Sequence, residues 1–370
     1  MEIMDLNAPA RTMAINPEFW RGKRVFLTGH TGFKGSWLSL WLHSMGAKVH
    51  GYALPPPTNP ALFDVAGVVR CLAHTLGDVR DIAALRTAMV AAQPEVVIHM
   101  AAQPLVRLSY AEPADTYATN VMGTVNLLDA VRGVPGVRAV VNVTTDKCYD
   151  NREWLWGYRE DDALGGHDPY SSSKACAEIV TATYRRSFFQ QGGPAIASAR
   201  AGNVIGGGDW AADRLVPDVL RSFERGQAVS IRHPNATRPW QHVLEPLSGY
   251  LMLAQALCTE GQAVAEAWNF GPADSDARPV HWIVEALVQR WGDGAAWGMN
   301  DNASPHEAGQ LRLDSAKSRQ RLGWQPRWPL SLALDRVVDW HQAWLRGEDM
   351  HRVCIQQVSD YCNDMHSPLP

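Results

Sequence analysis

The sequence predicts an α/β protein: a Rossmann-type doubly wound parallel sheet with a smaller, mixed α/β lobe toward the C-terminus. Three observations carry this. From Arg24 onward, short β-branched runs alternate with helical patterns, the signature of a parallel sheet assembled from βαβ units. A glycine-rich turn, Gly29-His30-Thr31-Gly32-Phe33-Lys34-Gly35, follows the first such run and opens the first helical pattern. Beyond about Asn203 the rhythm becomes irregular, with Gly206-Gly207-Gly208 and several prolines interrupting shorter elements.

Arg24–Thr28 reads as the first strand. Over residues 35–45, Trp37, Leu38, Trp41, Leu42 and Met45 recur at three-and-four spacing, so one helical stripe can face the sheet. Further strands are expected at 49–53, 96–100, 137–143 and 195–199. The residues just after them matter most, because ligands of open α/β sheets sit beyond the carboxyl ends of the strands. Helical patterns return at 245–256, Val280–Trp291, 315–322 and 330–344, and Ala267–Phe270 reads as a strand. The expected organisation is a poorly ordered lead-in over 1–20, a dinucleotide-binding domain over 21–202 and a smaller lobe over 203–370. A segment of that lobe, about 240–270, is expected to return to the first domain. No internal repeat or low-complexity linker separates the two, so they are expected to pack closely.

Composition narrows the function classes. With 46% hydrophobic and 19% charged residues the chain reads as an ordinary soluble enzyme, and no apolar run is long enough to cross a bilayer. A formal net charge of -4 leaves no global basic field to attract nucleic acid, so any phosphate must be held by local groups. Cys71, Cys148, Cys176, Cys258, Cys354 and Cys362 form no CxxC pair and no zinc spacing with histidine, so no metal is expected. Free thiols suit a reducing cytoplasm. The first 20 residues lack a charged n-region and an apolar h-region and do not read as a signal peptide.

The glycine turn sits where a dinucleotide loop must sit. Glycine permits the tight turn and a close backbone approach, and the helix N-terminus offers N–H donors to a pyrophosphate. Gly29, Thr31, Gly32, Phe33, Lys34 and Gly35 are therefore candidate cofactor contacts, although the spacing is GxxGxxG and three glycines can also serve a turn alone. Asp78 and Val79 lie where an adenine-contacting acid is expected, a weak match by itself. Ala101, Ala102 and Gln103 follow a strand and can border cofactor or sugar. The acid expected about 20 residues past the loop to hold the ribose hydroxyls is absent from Tyr52-Ala53-Leu54-Pro55-Pro56, and sequence physics leaves NAD and NADP open.

Tyr170 and Lys174 form a YxxxK pair whose side chains share a helix face. A lysine cation near a phenol lowers its pKa from about 10 toward the range where tyrosine can accept a proton from a sugar hydroxyl. Alone, such a pair is an ordinary surface feature; behind a glycine loop on the same sheet it points to chemistry. Thr144-Thr145-Asp146-Lys147 follows a strand ending in the crevice. A Thr145 hydroxyl can orient a substrate hydroxyl, and an Asp146 carboxyl of raised pKa can protonate a leaving hydroxyl; the bland alternative is a solvated polar turn.

With these motifs in order, the chain resembles the extended short-chain dehydrogenases that act on nucleotide sugars. The resemblance rests on GHTGFKG, HMAAQP, NVMGTVNLL, TTDK, YSSSK and RAGNVIGGGDW between Gly29 and Trp210, then RPWQHVLEPLSGYL from Arg238 and HEAGQLRLDSAKS from His306. Only the lead-in and roughly the last 20 residues fall outside it. Within the family the match is to the 4,6-dehydratases, on the branch that takes CDP-glucose. That resemblance implies a tightly held NAD, Tyr170 taking the C-4 hydroxyl proton, Asp146 as acid toward the C-6 hydroxyl, and a 4-dehydro-6-deoxy product used in deoxysugar biosynthesis. It gives Tyr170 and Lys174 a second role as cofactor contacts and makes the smaller lobe the nucleotide-sugar-binding one. dTDP-glucose dehydratases of the family carry Thr-Asp-Glu, whose glutamate is the expected C-5 base, where this chain has Lys147. A cationic lysine cannot remove a proton: Lys147 either acts neutral or stabilises an enolate while another group takes the proton, and both readings stand.

By the same resemblance Thr145, Asn203, Arg238 and His306 contact the substrate, Asn203 and Arg238 near its diphosphate. The bland alternatives are a turn residue for Asn203, a surface charge for Arg238 and a solvated loop histidine for His306. Asn120 can support a helix backbone near the site. A homodimer is implied, through the helices after Pro113 and at Tyr170. The competing functions are a nucleotide-sugar 4-epimerase, which has no use for an acid at C-6, a 4,6-dehydratase of dTDP- or GDP-hexoses, and a non-catalytic NAD-sensing regulator.

Overall fold

The computed structural model describes residues 14–292, 294–299 and 309–366. Its centre is a seven-stranded sheet of β1 (Arg24–Thr28), β2 (Lys48–Ala53), β3 (Ala73–Leu76), β4 (Val96–His99), β5 (Ala139–Val143), β6 (Ala195–Ala201) and β7 (Ala267–Phe270). The strands pair in the order β3-β2-β1-β4-β5-β6-β7, each neighbour parallel. This is the doubly wound arrangement, and the strand order reverses between β1 and β4, where ligands of such sheets bind.

Alternation along the strands explains how both faces are covered. Val25, Leu27, Ile98, Val141 and Ala197 point into one core with Trp37 and Trp41 of helix α1 (Phe33–Ser44). Phe26, Val97, Val140 and Ile196 point the other way, onto Leu85 and Met89 of α2 (Ile82–Ala92) and Leu127 and Val131 of α3 (Gly123–Arg132). Each fully buried side chain of this kind contributes roughly 1.5–3 kcal/mol. The two faces are completed by different helices: α5 (Leu244–Glu260) packs its Leu247, Tyr250 and Leu251 into the first core, while α4 (Pro169–Tyr184) lies on the α3 side.

A smaller assembly has its own apolar core of Val216, Leu220 and Phe223 from the helix Leu215–Glu224, Ile283 and Leu287 from Val280–Trp291, and Leu334 and Val337 from Leu330–Leu345. Three two-stranded pairings stitch it together: Val204–Ile205 with Gln241–His242, Thr237–Pro239 with Ala277–Pro279, and Val229–Ile231 with Trp297–Met299. The chain leaves the sheet after β6, returns to it through α5 and β7, and leaves again.

Three expectations change. The poorly ordered lead-in over 1–20 does not hold for its described part: Asn16 caps the short helix Pro17–Trp20, and the Trp20 side chain is fully buried in the first core. β3 has no counterpart among the expected strands, because Ala73-His74-Thr75-Leu76 is an exposed edge without an apolar face. Residues beyond 349, outside the family resemblance, form the helix Met350–His366, whose Cys354, Val358 and Tyr361 enter the first core.

The turn after β1 depends on missing side chains. Gly29 has φ +79°, and a Cβ there would lie 2.7 Å from the Ala101 nitrogen after β4. A Cβ on Gly35 would lie 2.1 Å from the Gly29 carbonyl oxygen, whereas one on Gly32 would approach the same oxygen only to 3.4 Å. Because the Gly35 overlap is with backbone, no rotamer can relieve it. Gly35→Ala is expected to destabilise the fold by at least about 1–3 kcal/mol, and Gly32→Ala by about 0.5 kcal/mol or less, read as urea midpoints; equal midpoints for the two variants would contradict the packing described.

Candidate active site

Four strand ends meet at the crevice. At the first, α1 starts from Gly32, and no side chain caps it, so its first-turn N–H groups stay available to an anion. Together with the Gly29–Gly35 crossing, this is a cradle that fits a dinucleotide pyrophosphate. Thr28 Oγ1 accepts from the Met100 and Ala101 amides at 3.1 and 3.2 Å and bonds His99 Nδ1 at 2.7 Å, fixing the loop after β4 to the end of β1. Thr31 Oγ1 donates to the Leu54 carbonyl at 2.8 Å, tying the glycine loop to the end of β2, where the sequence offers no ribose-binding acid.

The candidate contacts of the adenine side are placed less directly. Asp78 lies just past β3, and its carboxylate is engaged by Arg80 at 2.6 Å, which holds it below the usual carboxylate range. Val79 is buried against α3, where a Cβ on Gly123 would come within 2.8 Å of it. The Gln103 side chain is turned back into its own loop. Its amide donates to Thr116 Oγ1 at 2.9 Å and Leu105 O at 3.1 Å and accepts from the Leu105 amide at 2.6 Å. Asn120 bridges that loop to α4, accepting from Gln103 N and donating to Ser173 Oγ, both at 2.9 Å.

At the end of β5, Thr145 caps a short helical turn, Asp146–Cys148. Asp146 is 1% exposed; its Oδ1 accepts from Thr145 Oγ1 at 3.0 Å, and its Oδ2 has no hydrogen-bond partner. Burial pushes this carboxyl above the usual range, while Lys147, Thr145, Arg238 and Lys34 pull in the opposite direction. Gly202 after β6 leaves room for the unpaired oxygen, since a Cβ there would lie 2.9 Å from Asp146 Oδ2.

Tyr170 and Lys174 sit in the first turns of α4, which Asp168 caps through the Ser171 amide at 2.9 Å with Pro169 as the first helical residue. Tyr170 is half-buried, yet protein surrounds its phenol closely enough that desolvation raises it to about 12; the Thr145 hydroxyl and the Arg214 guanidinium oppose this. In the protein by itself the phenol is thus raised and not lowered, because desolvation outweighs these opposing groups. The Lys174 amine donates to the Val143 carbonyl at 3.3 Å and is itself lowered to about 8 by burial, with the Glu178 carboxylate as the main opposing influence.

Thr145, Asp146, Lys147, Tyr170, Asn203 and Arg238 all line one cavity of about 290 Å³, between the strand ends and the smaller assembly. Arg238 is 5% exposed and donates to the Thr237 carbonyl at 3.0 Å. The same cavity gathers Lys34, Arg107, Arg214 and Arg232, of which the sequence analysis singled out only Lys34. Asp209 pairs with Arg214 at 2.8 Å, and Asp213 lies 3.3 Å from Arg107 and 3.7 Å from Arg232. Lys34, Lys147 and Arg238 add further cations to this wall, so it suits a diphosphate. Arg214 follows RAGNVIGGGDW by only a few residues, but spacing alone does not show that this loop folds back over Tyr170. His306 lies outside the described residues.

The raised carboxyl of Asp146 makes a stability prediction. Below the unfolded carboxyl pKa of about 3.9 both states are protonated and the group contributes nothing. Above it the folded state must keep the proton or bury a charge, so the carboxyl opposes folding, increasingly until pH passes its folded pKa. Asp146→Asn is expected to melt higher than the wild type at pH 7–8 and at the wild-type temperature near pH 3.5. A thermal-melt series in which the variant gains nothing at pH 7–8 would contradict the desolvated carboxyl.

Comparison with known proteins agrees with this geometry. The family model described as GDP-mannose 4,6 dehydratase matches residues 26–336. A CDP-glucose 4,6-dehydratase of Salmonella typhimurium is 58% identical over 352 residues, covering 94% of this chain and 98% of that protein. A dTDP-glucose 4,6-dehydratase of Streptomyces antibioticus is 26% identical, covering 86% and 92%. Among solved structures, the dTDP-glucose 4,6-dehydratase of Streptomyces venezuelae with NAD and TYD bound superposes with a TM-score of 0.74 at 23% identity, covering 88% of this chain and 99% of that one. A UDP-glucose 4-epimerase of Thermotoga maritima with UDP-glucose gives 0.76 at 21%, covering 87% and 99%, so the two structures share the fold with this chain while their reactions differ. With the strand order and the cavity in place, the chain belongs to the GDP-mannose 4,6 dehydratase family of short-chain dehydrogenase-type enzymes.

Proposed function

We propose that this protein is an NAD-dependent lyase that converts CDP-glucose to CDP-4-dehydro-6-deoxyglucose. The observation that carries the reading is Asp146: a buried acid with a raised carboxyl and an unpaired oxygen, in one cavity with Tyr170. An epimerase has no step that needs such an acid. The nucleotide is taken from the 58% identical relative, whose name specifies CDP-glucose.

NAD, when bound, would supply the hydride acceptor for C-4 and the hydride donor for C-6, so the reaction would have no net redox change. The chain's own groups do the rest. The N–H groups at the start of α1 and the glycine loop receive the pyrophosphate, and Ala101, Ala102 and the Gln103 backbone border the cofactor. Tyr170 accepts the C-4 hydroxyl proton, with Thr145 orienting that hydroxyl. Lys174, cationic below a pKa of about 8, favours the phenolate across the space that cofactor and sugar fill. The resulting 4-keto group acidifies the C-5 proton, which a water in the cavity accepts while Lys147 as a cation stabilises the enolate, and a proton returns to C-5 as the hydride arrives at C-6. Asp146 gives its proton to the C-6 hydroxyl, which departs as water. Asn203, Arg238 and Arg214 hold the diphosphate, and His306 is retained as a substrate contact by resemblance.

The test offers CDP-, dTDP-, GDP- and UDP-hexoses with NAD and identifies any 4-keto-6-deoxy product by mass and NMR. CDP-glucose is expected to be preferred; a clear preference for dTDP-glucose would overturn the nucleotide assignment, and inversion at C-4 without water loss would make the protein an epimerase. Asp146→Asn is expected to slow water loss by roughly 10²–10⁴-fold while leaving partial C-4 oxidation, seen as NADH absorbance. Undiminished dehydration would remove Asp146 from its role.

We also infer a homodimer in the cytoplasm. Tyr117 and Met122 from the segment after Pro113, with Ile179 of α4 and Phe188 just beyond it, are exposed apolar residues at 38, 50, 54 and 47% on neighbouring helices. Such a stripe is the surface a two-fold partner covers. All six cysteines are free thiols, as suits a reducing compartment, and no helix among the described residues is long and apolar enough to cross a membrane. Ile179→Asp is expected to halve the mass seen by light scattering; an unchanged dimer would place the interface elsewhere.

A further inference from the structure

Glu178 stands one helical turn beyond Lys174 and two beyond Tyr170, so the three share a face of α4. It is 3% exposed, and neither its sequence position nor the proposed chemistry gives it a task. Its carboxylate nevertheless accepts three side-chain donors. Thr144 donates through its hydroxyl to Oε1, Ser198 Oγ of β6 donates to Oε2 at 2.6 Å, and Arg200 Nη2 of β6 donates to Oε2 at 2.8 Å.

These partners bracket the catalytic turn. Thr144 immediately precedes Thr145, Asp146 and Lys147, and Glu178 holds it directly. On the other side, Tyr149 is held by the same ion pair, because Arg200 Nη1 donates to the Tyr149 hydroxyl at 2.8 Å and its guanidinium lies 5.0 Å from that ring. Tyr149 in turn donates to Asn269 Oδ1 of β7 at 2.7 Å, and Arg200 Nη1 also reaches the Glu160 carbonyl at 2.9 Å. The backbone between Thr144 and Tyr149 is thus fastened at both ends to one buried pair, and one member of that pair is rooted in the helix that carries Tyr170 and Lys174.

We infer that Glu178 is a positioning residue: through Thr144 directly and through Arg200 and Tyr149, it locks the turn bearing Thr145 and Asp146 to the helix bearing Tyr170 and Lys174. The proton acceptor and the proton donor of the reaction come from different elements, and a displacement of about 1 Å between them is enough to cost on the order of 10²-fold in rate. Glu178 has a second effect along its own helix. Its negative charge is the largest influence that keeps the Lys174 amine from falling further than about 8. Burial is the influence that lowers the amine, and the Lys34 amine and the buried His99 also face Lys174. The inference rests on the dehydratase reading for its kinetic part only.

Two variants separate positioning from mere stability. Thr144→Val removes one hydroxyl and leaves the Glu178–Arg200 pair intact; Glu178→Gln removes the charge and leaves Arg200 buried without its counter-ion. Both are expected to lower kcat about 10–100-fold with KM for CDP-glucose within about threefold, and Thr144→Ser is expected to restore kcat. NAD binding followed by titration calorimetry across pH gives a readout free of chemistry. Loss of the carboxylate lowers the Lys174 pKa, so the weakening of NAD binding at high pH is expected to begin at lower pH in Glu178→Gln and at the wild-type pH in Thr144→Val. If both variants melt lower but keep the wild-type kcat and NAD pH profile, Glu178 is structural only and the inference is overturned. If Glu178→Gln fails to fold, a wild-type kcat in Thr144→Val overturns it and a reduced kcat rescued by Thr144→Ser supports it. If the wild type turns over no nucleotide sugar, the dehydratase reading fails, and the pH profile of NAD binding still decides for or against Glu178.

Discussion

No side chain fits between the turn after β1 and the helix that leaves it. The Gly29 carbonyl oxygen occupies the space that a Cβ on Gly35 would need, and Gly29 itself is pressed against the backbone after β4. This double contact sets the distance of α1 from the sheet and aims its uncapped N-terminus along the crevice. It also fixes the spacing of β1 and β4 at the point where strand order reverses, which is where the crevice opens. Everything functional in the molecule is placed relative to that opening, since the β5 turn and α4 reach it from the next strands over. The glycines contribute by what they lack, at the entropic cost glycine carries in the unfolded chain.

Around the opening, burial and charge are in competition. Taking a carboxyl, a phenol and an amine out of water favours the neutral form of each, and Asp146, Tyr170 and Lys174 all shift that way. Lys34 follows the same rule, lowered to about 8 by desolvation with Arg214 and Lys174 nearby. The Glu178–Arg200 pair beneath them behaves differently. It is equally buried, but the Glu178 carboxylate accepts from Thr144, Ser198 and Arg200, and the Arg200 Nη groups donate to Glu178, Tyr149 and the Glu160 carbonyl, so both members stay charged although Arg200 Nε has no partner. The result is a layered site: a buried ion pair that keeps its charges below, and above it groups that burial pushes toward their neutral forms.

Much of this architecture is legible in the sequence because it follows from local rules. β1, β4 and β5 are buried on both faces and each carries three consecutive apolar residues, Val25-Phe26-Leu27, Val96-Val97-Ile98 and Ala139-Val140-Val141. The glycine loop is legible because only its spacing and its strand-to-helix context are needed. β3 is not, because an exposed edge strand has no reason to be apolar. The site divides in the same way. Thr145, Asp146 and Tyr170 lie at strand and helix ends and can be nominated from motifs, but the burial that gives Asp146 its character comes from Gly202 and from walls far along the chain. Arg214 reaches Tyr170 only through the fold, and Glu178 looks in sequence like a surface acid on a helix until β6 is seen to cover it. The Gln103 side chain shows the converse: a polar residue at the right strand end that spends its hydrogen bonds on its own loop.

The substitution of Lys147 for the glutamate of dTDP-glucose relatives bears most on its neighbour. Where two carboxyls adjoin, each raises the other's pKa by like-charge repulsion, and a protonated acid comes almost as a by-product. Beside Lys147 that help is reversed: the lysine is the largest influence lowering Asp146, with Arg238 and Lys34 adding to it. An acid at this position can stay protonated only if desolvation outweighs three nearby cations. The structure works toward that condition with a side chain 1% exposed, a single hydrogen bond to one oxygen and none to the other, and burial is the largest influence on the carboxyl. The tight closure around Asp146 is therefore the physical counterpart of the lysine next to it: the burial that raises this carboxyl works against the neighbouring cation that lowers it.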